Sequence, residues 1–585
     1  MKKNTILNYL SILAVLFTAS IYGQTVNNET ELDAATSSAS AGTTIILANG
    51  TWNNATISIH KTGTAAMPIT IKAETPGSVF FEGITNVKMG GSYIYFEGVV
   101  FQNASTAINP NTPLIDFKSS SDCNNCKVSN VKVDAFNQST ANEANVFKWI
   151  LLRGANNEIS YCSFLGKHGV GSIINDNRSS TIPNYHKIHH NYFADRTPVG
   201  IVNNLNDQDA IRIGSSSTSL SDSFTEVYEN YFYNFVGEIE VVSNKSGSNK
   251  YYNNTFEDYS GALTLRHGNN CEVYNNFFLA NGHSFSGGVR MMGENHKIYN
   301  NYIEGTVAKY PNNSSTNGLA GINIHNGILN SPLNGYYQVK NATIVNNTFV
   351  NCDLGVRVGA TFSSGTQNQP PQDVVIGNNI MYENTNKAIQ VTTQLTGTSS
   401  KYENNIKQNG TFDSFGSVTA TGNIDVSSGL LASGTDFYNM VNGSAAIDYG
   451  AGSYAFLTED IIGGTRPVNF DAGAEEFNSG GTRLPYKQSD VGVTVGFGGS
   501  PALSVNDTIK IENILRIYPM PVQGDYLNLS IEKRNLGYVQ IIDMLGRTVI
   551  NKNIDSPKGQ IEVNTLTAGA YILKVQNISK MIIFQ

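Results

Sequence analysis

Charged residues are scarce in this chain: Asp, Glu, Lys and Arg make up 14% of its 585 residues, and the formal net charge is −8. A nucleic-acid binder needs a basic field, so this balance excludes that class. An anionic sugar polymer is still admitted, because a local basic cleft fits on an acidic protein. Long apolar runs are missing as well. The one candidate, from about Ile6 to Ala19, is shorter than the roughly 20 residues that cross a bilayer. It follows Lys2 and Lys3 and precedes Gly23, the order of charge, core and small residue found in secretory signal peptides. Residues 1–23 are therefore expected to be a signal peptide, with the mature chain starting near Gln24 and no membrane span in it. Cysteine is sparse and odd in number, at five, so a complete disulfide framework is impossible. Cys123 and Cys126, in Cys-Asn-Asn-Cys, are neighbours that either form a local disulfide or stay thiols. A zinc site would need a second such pair or histidines at ligand spacing, and there are none.

Glycine, by contrast, is abundant, at 55 residues, as are Asn, Ser and Thr, which suits a long, turn-rich β architecture. A strand-like stretch ending in Asn-Asn-x-apolar recurs at Asn253-Asn254, Asn275-Asn276, Asn300-Asn301, Asn346-Asn347 and Asn378-Asn379, with looser copies ending at Phe164, Phe193 and Phe232. Phe256 to Phe278 is 22 residues, Phe278 to Ile303 is 25, and Ile303 to Phe349 is 46, or two steps. Units this short cannot hold a core of their own and must stack, as the coils of a parallel β-helix do. Asn tolerates left-handed backbone, and stacked amides hydrogen-bond from coil to coil. Leucine-rich repeats lack support, because the Leu-x-x-Leu-x-Leu signature is missing. Cys162 takes the second Asn place of a loose copy and reads as a buried spacer, while His189 and His190 read as turn or ladder packing.

The repeat fades near residue 440, and the Gly- and Ser-rich stretch 479–510 reads as a linker. Residues 511–585 then alternate as strands. They carry Tyr518-Pro519-Met520-Pro521, Asp543-Met544-Leu545-Gly546-Arg547 and Leu566-Thr567-Ala568-Gly569-Ala570-Tyr571, which resemble the C-terminal sorting domain of the type IX secretion system. That resemblance implies export across an outer membrane, to a secreted or outer-surface location, with the type IX machinery as a partner. The expected fold is thus all-β: a right-handed parallel β-helix over 24–478, followed by a small β-sandwich.

Chemistry concentrates in the middle of the repeat. In Val236–Val242 the alternation places Glu238 and Glu240 on one face, with Ile239 and Val241 toward the core. Two adjacent carboxylates are either an ordinary solvated strand face or a site for a hard cation that takes oxygen ligands, for which calcium fits better than magnesium. One step later Leu263 and Leu265 point inward and Arg266 outward. If Ile239 stacks on Leu263, Thr264 lies over Glu240, and Arg266 sits one coil away, roughly 5 Å, and two residues further along, roughly 7 Å. Lys245 leaves the glutamate strand at its C-terminal end and reaches the same surface. A cation site, a lysine and an arginine on one face suit β-elimination on a uronic acid. The cation neutralises the sugar carboxylate, and a neutral lysine then takes the weakly acidic C5 proton.

The runs Asn206–Gly214, Glu238-x-Glu240, Lys245 and Leu265-Arg266-His267-Gly268 resemble polysaccharide lyase family 6, the alginate lyases and chondroitinase B. So do His186–Phe193, Gly287–His296, Asp460–Pro467 and Asp471–Phe477, in the same order, so that the resemblance covers about residues 24–478. It implies calcium ligands at Asn206, Glu238 and Glu240, Lys245 as base, and Arg266 as the partner usually named the acid. Guanidinium hardly deprotonates, so Arg266 is better read as stabilising charge. His267, Arg290 and Arg196 lie in family-like segments and are the candidates for gripping substrate carboxylates, while Arg212 reads as structural support. The chain has Asp207-Gln208-Asp209 where the family usually has Gly-Gly-Glu. The implied activity is a calcium-dependent lyase of uronate polymers, alginate first, giving 4,5-unsaturated products. A dermatan sulfate lyase and a non-catalytic glycan-binding β-helix are the alternatives.

Overall fold

The computed structural model describes residues 23–309, 319–362, 365–496, 515–518, 522, 524–531, 535–543, 547–575 and 578–584. The expected signal peptide lies outside them but for Gly23. Between Gln24 and Asp425 the chain winds through three long parallel sheets of 15, 14 and 14 strands, as a stacked parallel β-helix requires. One coil shows the plan: Lys250–Tyr252 lies in the first sheet, Thr255–Tyr259 in the third and Gly261–His267 in the second, before Glu272–Tyr274 returns to the first. The helix Glu29–Ser38 lays Leu32 and Ala35 into the same core at the N-terminal end.

The paired asparagines divide the work as their chemistry dictates. The first of each pair, Asn253, Asn275, Asn300, Asn346 and Asn378, takes the left-handed conformation with φ between 52° and 55°. The second is buried, and its amide nitrogen donates to the amide oxygen one coil on. The ladder runs through Asn191, Asn230, Asn254, Asn276, Asn301, Asn347, Asn379, Asn405 and Asn423, with steps of 2.8 to 3.1 Å. Cys162 stands at its N-terminal end, its backbone N–H donating to Asn191 at 2.9 Å, as the spacer reading expects. His189 stacks on Tyr228 and opens an aromatic ladder through Tyr252, Tyr274 and Tyr299, with ring centroids 4.7 to 5.0 Å apart. Cys123 and Cys126 form a disulfide, and Cys162, Cys271 and Cys352 are buried thiols.

Two expectations need correction. Part of the expected linker, 479–496, is docked on the β-helix: Tyr486 N–H donates to Thr255, Gly492 N–H to His190 O at 2.7 Å, and Val491 is fully buried. A Cβ on Gly481 would lie 2.4 Å from Ile462 O and one on Gly492 2.4 Å from Ser163 Oγ, and the rest of the linker lies outside the described residues. The strand register also differs. Val242 pairs with Leu263 and Ser243 with Thr264, because the strand Glu240–Lys245 carries an irregularity between Glu240 and Val242. Val241 and Val242 both enter the main core, whereas Ile239 joins a satellite cluster with Val202, Ala262, Phe285 and Leu319. Simple period-2 alternation cannot register such a bulge.

The C-terminal unit, residues 498–585, has two antiparallel sheets of three and four strands around its own core of Leu527, Leu529, Val539, Ile541, Leu573 and Ile582.

Candidate active site

Stacking in register builds a polar row on the outer face of the second sheet. Arg212 pairs with Ser243, Ser243 with Thr264, Thr264 with Arg290, Arg290 with Asn323, Asn323 with Arg357 and Arg357 with Gln390. The flanking residues, such as Val242, Leu263, Val289 and Ile322, belong to the core. A side chain exposed by the pleat on one strand therefore meets its counterpart one coil away, about 4.8 Å off.

At one flank of this row lie the carboxylates. Glu238 and Glu240 are buried, not solvated. Glu238 accepts the backbone N–H of Gln208 at 2.8 Å, and Glu240 accepts the Ser243 hydroxyl. Burial, with Asp209 and Glu240 nearby, pushes the Glu238 carboxyl up to about 8. Asp207 takes a φ of 65°, so the loop keeps at this position a backbone that glycine favours. Asp207 and Asp209 clasp Arg212, the latter at 2.7 Å, and Arg212 stands 3.8 Å from Glu238. Arg212, read from sequence as support, is thus the counter-ion of this acidic pocket. Arg290 pairs with Glu240 at 3.1 Å. Asp207, Asp209, Glu238 and Glu240 thus gather around the Arg212 and Arg290 guanidiniums. Asp209 Oδ1 is buried without a hydrogen-bond partner. Asn206 is exposed on the loop before Ile211–Ile213. This oxygen-only set fits a hard cation. No three Asp, Glu, His or Cys side chains form a ready metal cage among the described residues, so the set needs the Asn206 amide or other oxygens to complete it.

Lys245 and His267 sit opposite each other on adjacent coils. Lys245 is half-buried, and its ammonium makes no hydrogen bond or ion pair with a described residue. Burial, then the Arg212 charge, lower its pKa from the ordinary lysine value, against the pull of Glu240, Asp209 and Asp207. His267 is buried, and burial with the charges of Arg266, Lys245 and Arg290 drives its pKa down to about 3, so it is neutral at pH 7. Its Nδ1 has no partner. Arg266 falls in a second register irregularity and projects between these positions. Its guanidinium donates to Gly335 O at 2.9 Å and Asn334 O at 3.3 Å, and lies 4.0 Å from the Tyr336 ring centroid.

The remaining candidates separate. Arg290 is 2% exposed, and its nitrogens are taken up by Glu240, His325 at 3.2 Å and Tyr336 at 2.8 Å. It holds the site together and has no free face for a sugar. Arg196 lies on a third-sheet strand, Tyr192–Arg196, and is 1% exposed. It donates to the carbonyls of Gly169 at 2.8 Å and Gly171 at 3.4 Å, and so is a buried loop anchor, not a substrate contact. Asp209, Ser243, His325 and Tyr336 were not singled out from sequence. Ser243 and His325 lie beside register irregularities that alternation does not reveal, and Tyr336 arrives on a loop with no repeat signal.

Comparison with known proteins gives the chain its family. Residues 26–443 match the family model described as chondroitinase B, and residues 516–584 that of a secretion system C-terminal sorting domain. Among solved structures, the PL6 family alginate lyase AlyGC is 30% identical, with a TM-score of 0.63, over 72% of this chain and 55% of its own. This chain therefore spans little more than half the length of that enzyme. A mannuronic acid specific polysaccharide family 6 lyase from human gut microbiota is 25% identical, with a TM-score of 0.56, over 70% of this chain and 92% of its own. The PL6 family polysaccharide lyase Pedsa3628 from Pseudopedobacter saltans, 22% identical over 80% of this chain and 99% of its own at a TM-score of 0.58, shares the fold. No curated protein matches the sequence. The sorting domain marks the chain for export to the outside or outer surface, and no helix among the described residues is long and apolar enough to cross a membrane. A matched span that contains the whole β-helix coil set around Glu238, Glu240, Lys245 and Arg266 places the chain in the chondroitinase B family, polysaccharide lyase family 6.

Proposed function

We propose that this protein is a calcium-dependent lyase that cleaves 1,4-linked uronate polymers by β-elimination, with alginate as its leading substrate. The observation that carries the reading is Lys245: a half-buried lysine without an acidic partner, its pKa lowered, beside a neutral His267 and Arg266. A calcium ion held by Asn206, Glu238 and Glu240 would supply neutralisation of the substrate's C6 carboxylate. Neutral Lys245 Nζ takes the C5 proton. The electron pair of that C–H bond forms the C4–C5 double bond as the C4–O4 bond breaks, and the departing O4 receives a proton from the Lys245 ammonium or from water. Arg266 stays charged and donates hydrogen bonds to the developing negative charge. His267, uncharged, keeps the base from facing another cation. The secretion machinery that reads residues 516–584 is its export partner.

The test is incubation with alginate while following the ultraviolet absorbance of the 4,5-unsaturated product, with and without a chelator. No absorbance from any uronate polymer overturns the lyase reading, and full activity after chelation overturns the calcium. The chondroitinase B description of the matching family favours dermatan sulfate as the second substrate, and a panel of both polymers separates them.

A further inference from the structure

After the strand Ile322–His325 the chain leaves the second sheet as a strap, residues 327–338, that folds back toward earlier coils. It is fixed at several points. Gly327 and Gln369 exchange backbone hydrogen bonds of 2.8 and 2.9 Å, Ile328 N–H donates to Tyr336 O at 2.8 Å, and the Ser219 hydroxyl donates to Leu333 O at 3.0 Å, which reaches back several coils. This strap supplies the two carbonyls that accept from the Arg266 guanidinium, Gly335 O and Asn334 O, and the Tyr336 ring against which it packs. The same ring's hydroxyl accepts from Arg290 at 2.8 Å, and Arg290 in turn holds Glu240.

We infer that Tyr336 is a positioning residue, whose ring orients Arg266 for the reaction. The inference rests on the lyase reading above. An arginine on a long side chain has many rotamers, and two carbonyls on one edge fix its reach but not its tilt. An aromatic face 4.0 Å away restricts that tilt. Phe362 backs the assembly, 4.8 Å from Arg290 and stacked on His325 at 5.1 Å.

Three full-length proteins test this on alginate: wild type, Tyr336→Phe and Tyr336→Leu, with kcat and KM measured separately and thermal melting alongside. The ring is the operative part, so Tyr336→Leu is expected to lower kcat about tenfold or more with KM moved less than about threefold, while Tyr336→Phe stays within about threefold of wild type in kcat. A Leu variant with wild-type kcat, a loss confined to KM, or a Phe variant as slow as the Leu variant overturns the inference. If Tyr336→Leu fails to fold, Tyr336→Trp, which keeps an aromatic face, replaces the comparison and must exceed Tyr336→His in kcat. Inactivity of the wild type on every uronate polymer refutes the lyase reading instead.

Discussion

Replacing Lys245 isolates the chemical step from the stability of the fold. A positioned general base contributes on the order of 10² to 10⁴ in rate, or about 3 to 5 kcal/mol of barrier, so Lys245→Ala is expected to lose that factor in kcat. The stability change should be small. No described residue hydrogen-bonds or ion-pairs with the ammonium, so its removal leaves no buried partner unpaired. Because burial lowers the folded pKa, the unfolded chain holds this proton more tightly, and the penalty is fully present below the folded value and vanishes as pH rises past the unfolded one. Alanine relieves that penalty while losing about 1 kcal/mol of packing from the aliphatic stem, and the melting temperature should shift by no more than about 3 °C. Lys245→Arg sharpens the comparison. Arginine keeps the charge and cannot take up a proton at working pH, so it should be as slow as alanine if Lys245 is the base. Initial rates of absorbance increase on saturating alginate, with melts of the same samples, give the answer. Activity of Lys245→Arg within tenfold of wild type would show that the residue binds charge and does not move a proton, and the mechanism would fall.

Three further outcomes follow from named contacts. Arg212→Gln removes the charge that, after burial, most lowers the Lys245 pKa, so the rising limb of kcat against pH should move alkaline; a limb that stays put or moves acid contradicts the electrostatic account. Glu238, with its folded pKa raised to about 8, keeps its proton where the unfolded chain has lost it, so this group's contribution weakens the metal-free fold as pH rises from about 4.5 to 8. Calcium should therefore raise the melting temperature more at pH 8 than at pH 6, and Glu238→Gln should abolish that difference; an equal calcium effect in the variant counts against Glu238 as a ligand. Asn276→Leu breaks amide bonds to Tyr251, Tyr274, Asn254 and Asn301, and leaves the Asn254 backbone N–H buried without its acceptor. A loss of about 3 to 5 kcal/mol in urea unfolding is expected, and less than about 1 would mean that the ladder carries little of the stability.

Much of the architecture was open to reading because it repeats. The Asn-Asn period, the buried place of Cys162 and the ring stacking of His189 all follow from units that must stack to bury a face, and the structure has each of them. The separate C-terminal β unit was legible for a similar reason, since alternating strands after a break in the repeat need a core of their own. The 479–496 segment was misjudged because glycine and serine signal freedom of backbone equally well in a linker and in a strap pressed against neighbouring strands.

At the site, residue identity was local information and geometry was not. Sequence by itself determined that two carboxylates, a lysine and an arginine fall on successive coils, because the period places residues about 22 apart side by side. Only the tertiary structure decided which of them are exposed and which are consumed. The register irregularities between Glu240 and Val242 and between Asn244 and Lys245 set Lys245 against His267, and a single extra residue in a strand leaves no trace in an apolar–polar pattern. Whether Arg196, Arg212 and Arg290 face a substrate or a buried carbonyl and carboxylate depends on chain segments 25 to 50 residues away, which come together only when the coils close. Tyr336 shows the same limit most plainly: its place against Arg266 comes from a strap 70 residues further on, brought there by long-range hydrogen bonds that no local pattern records.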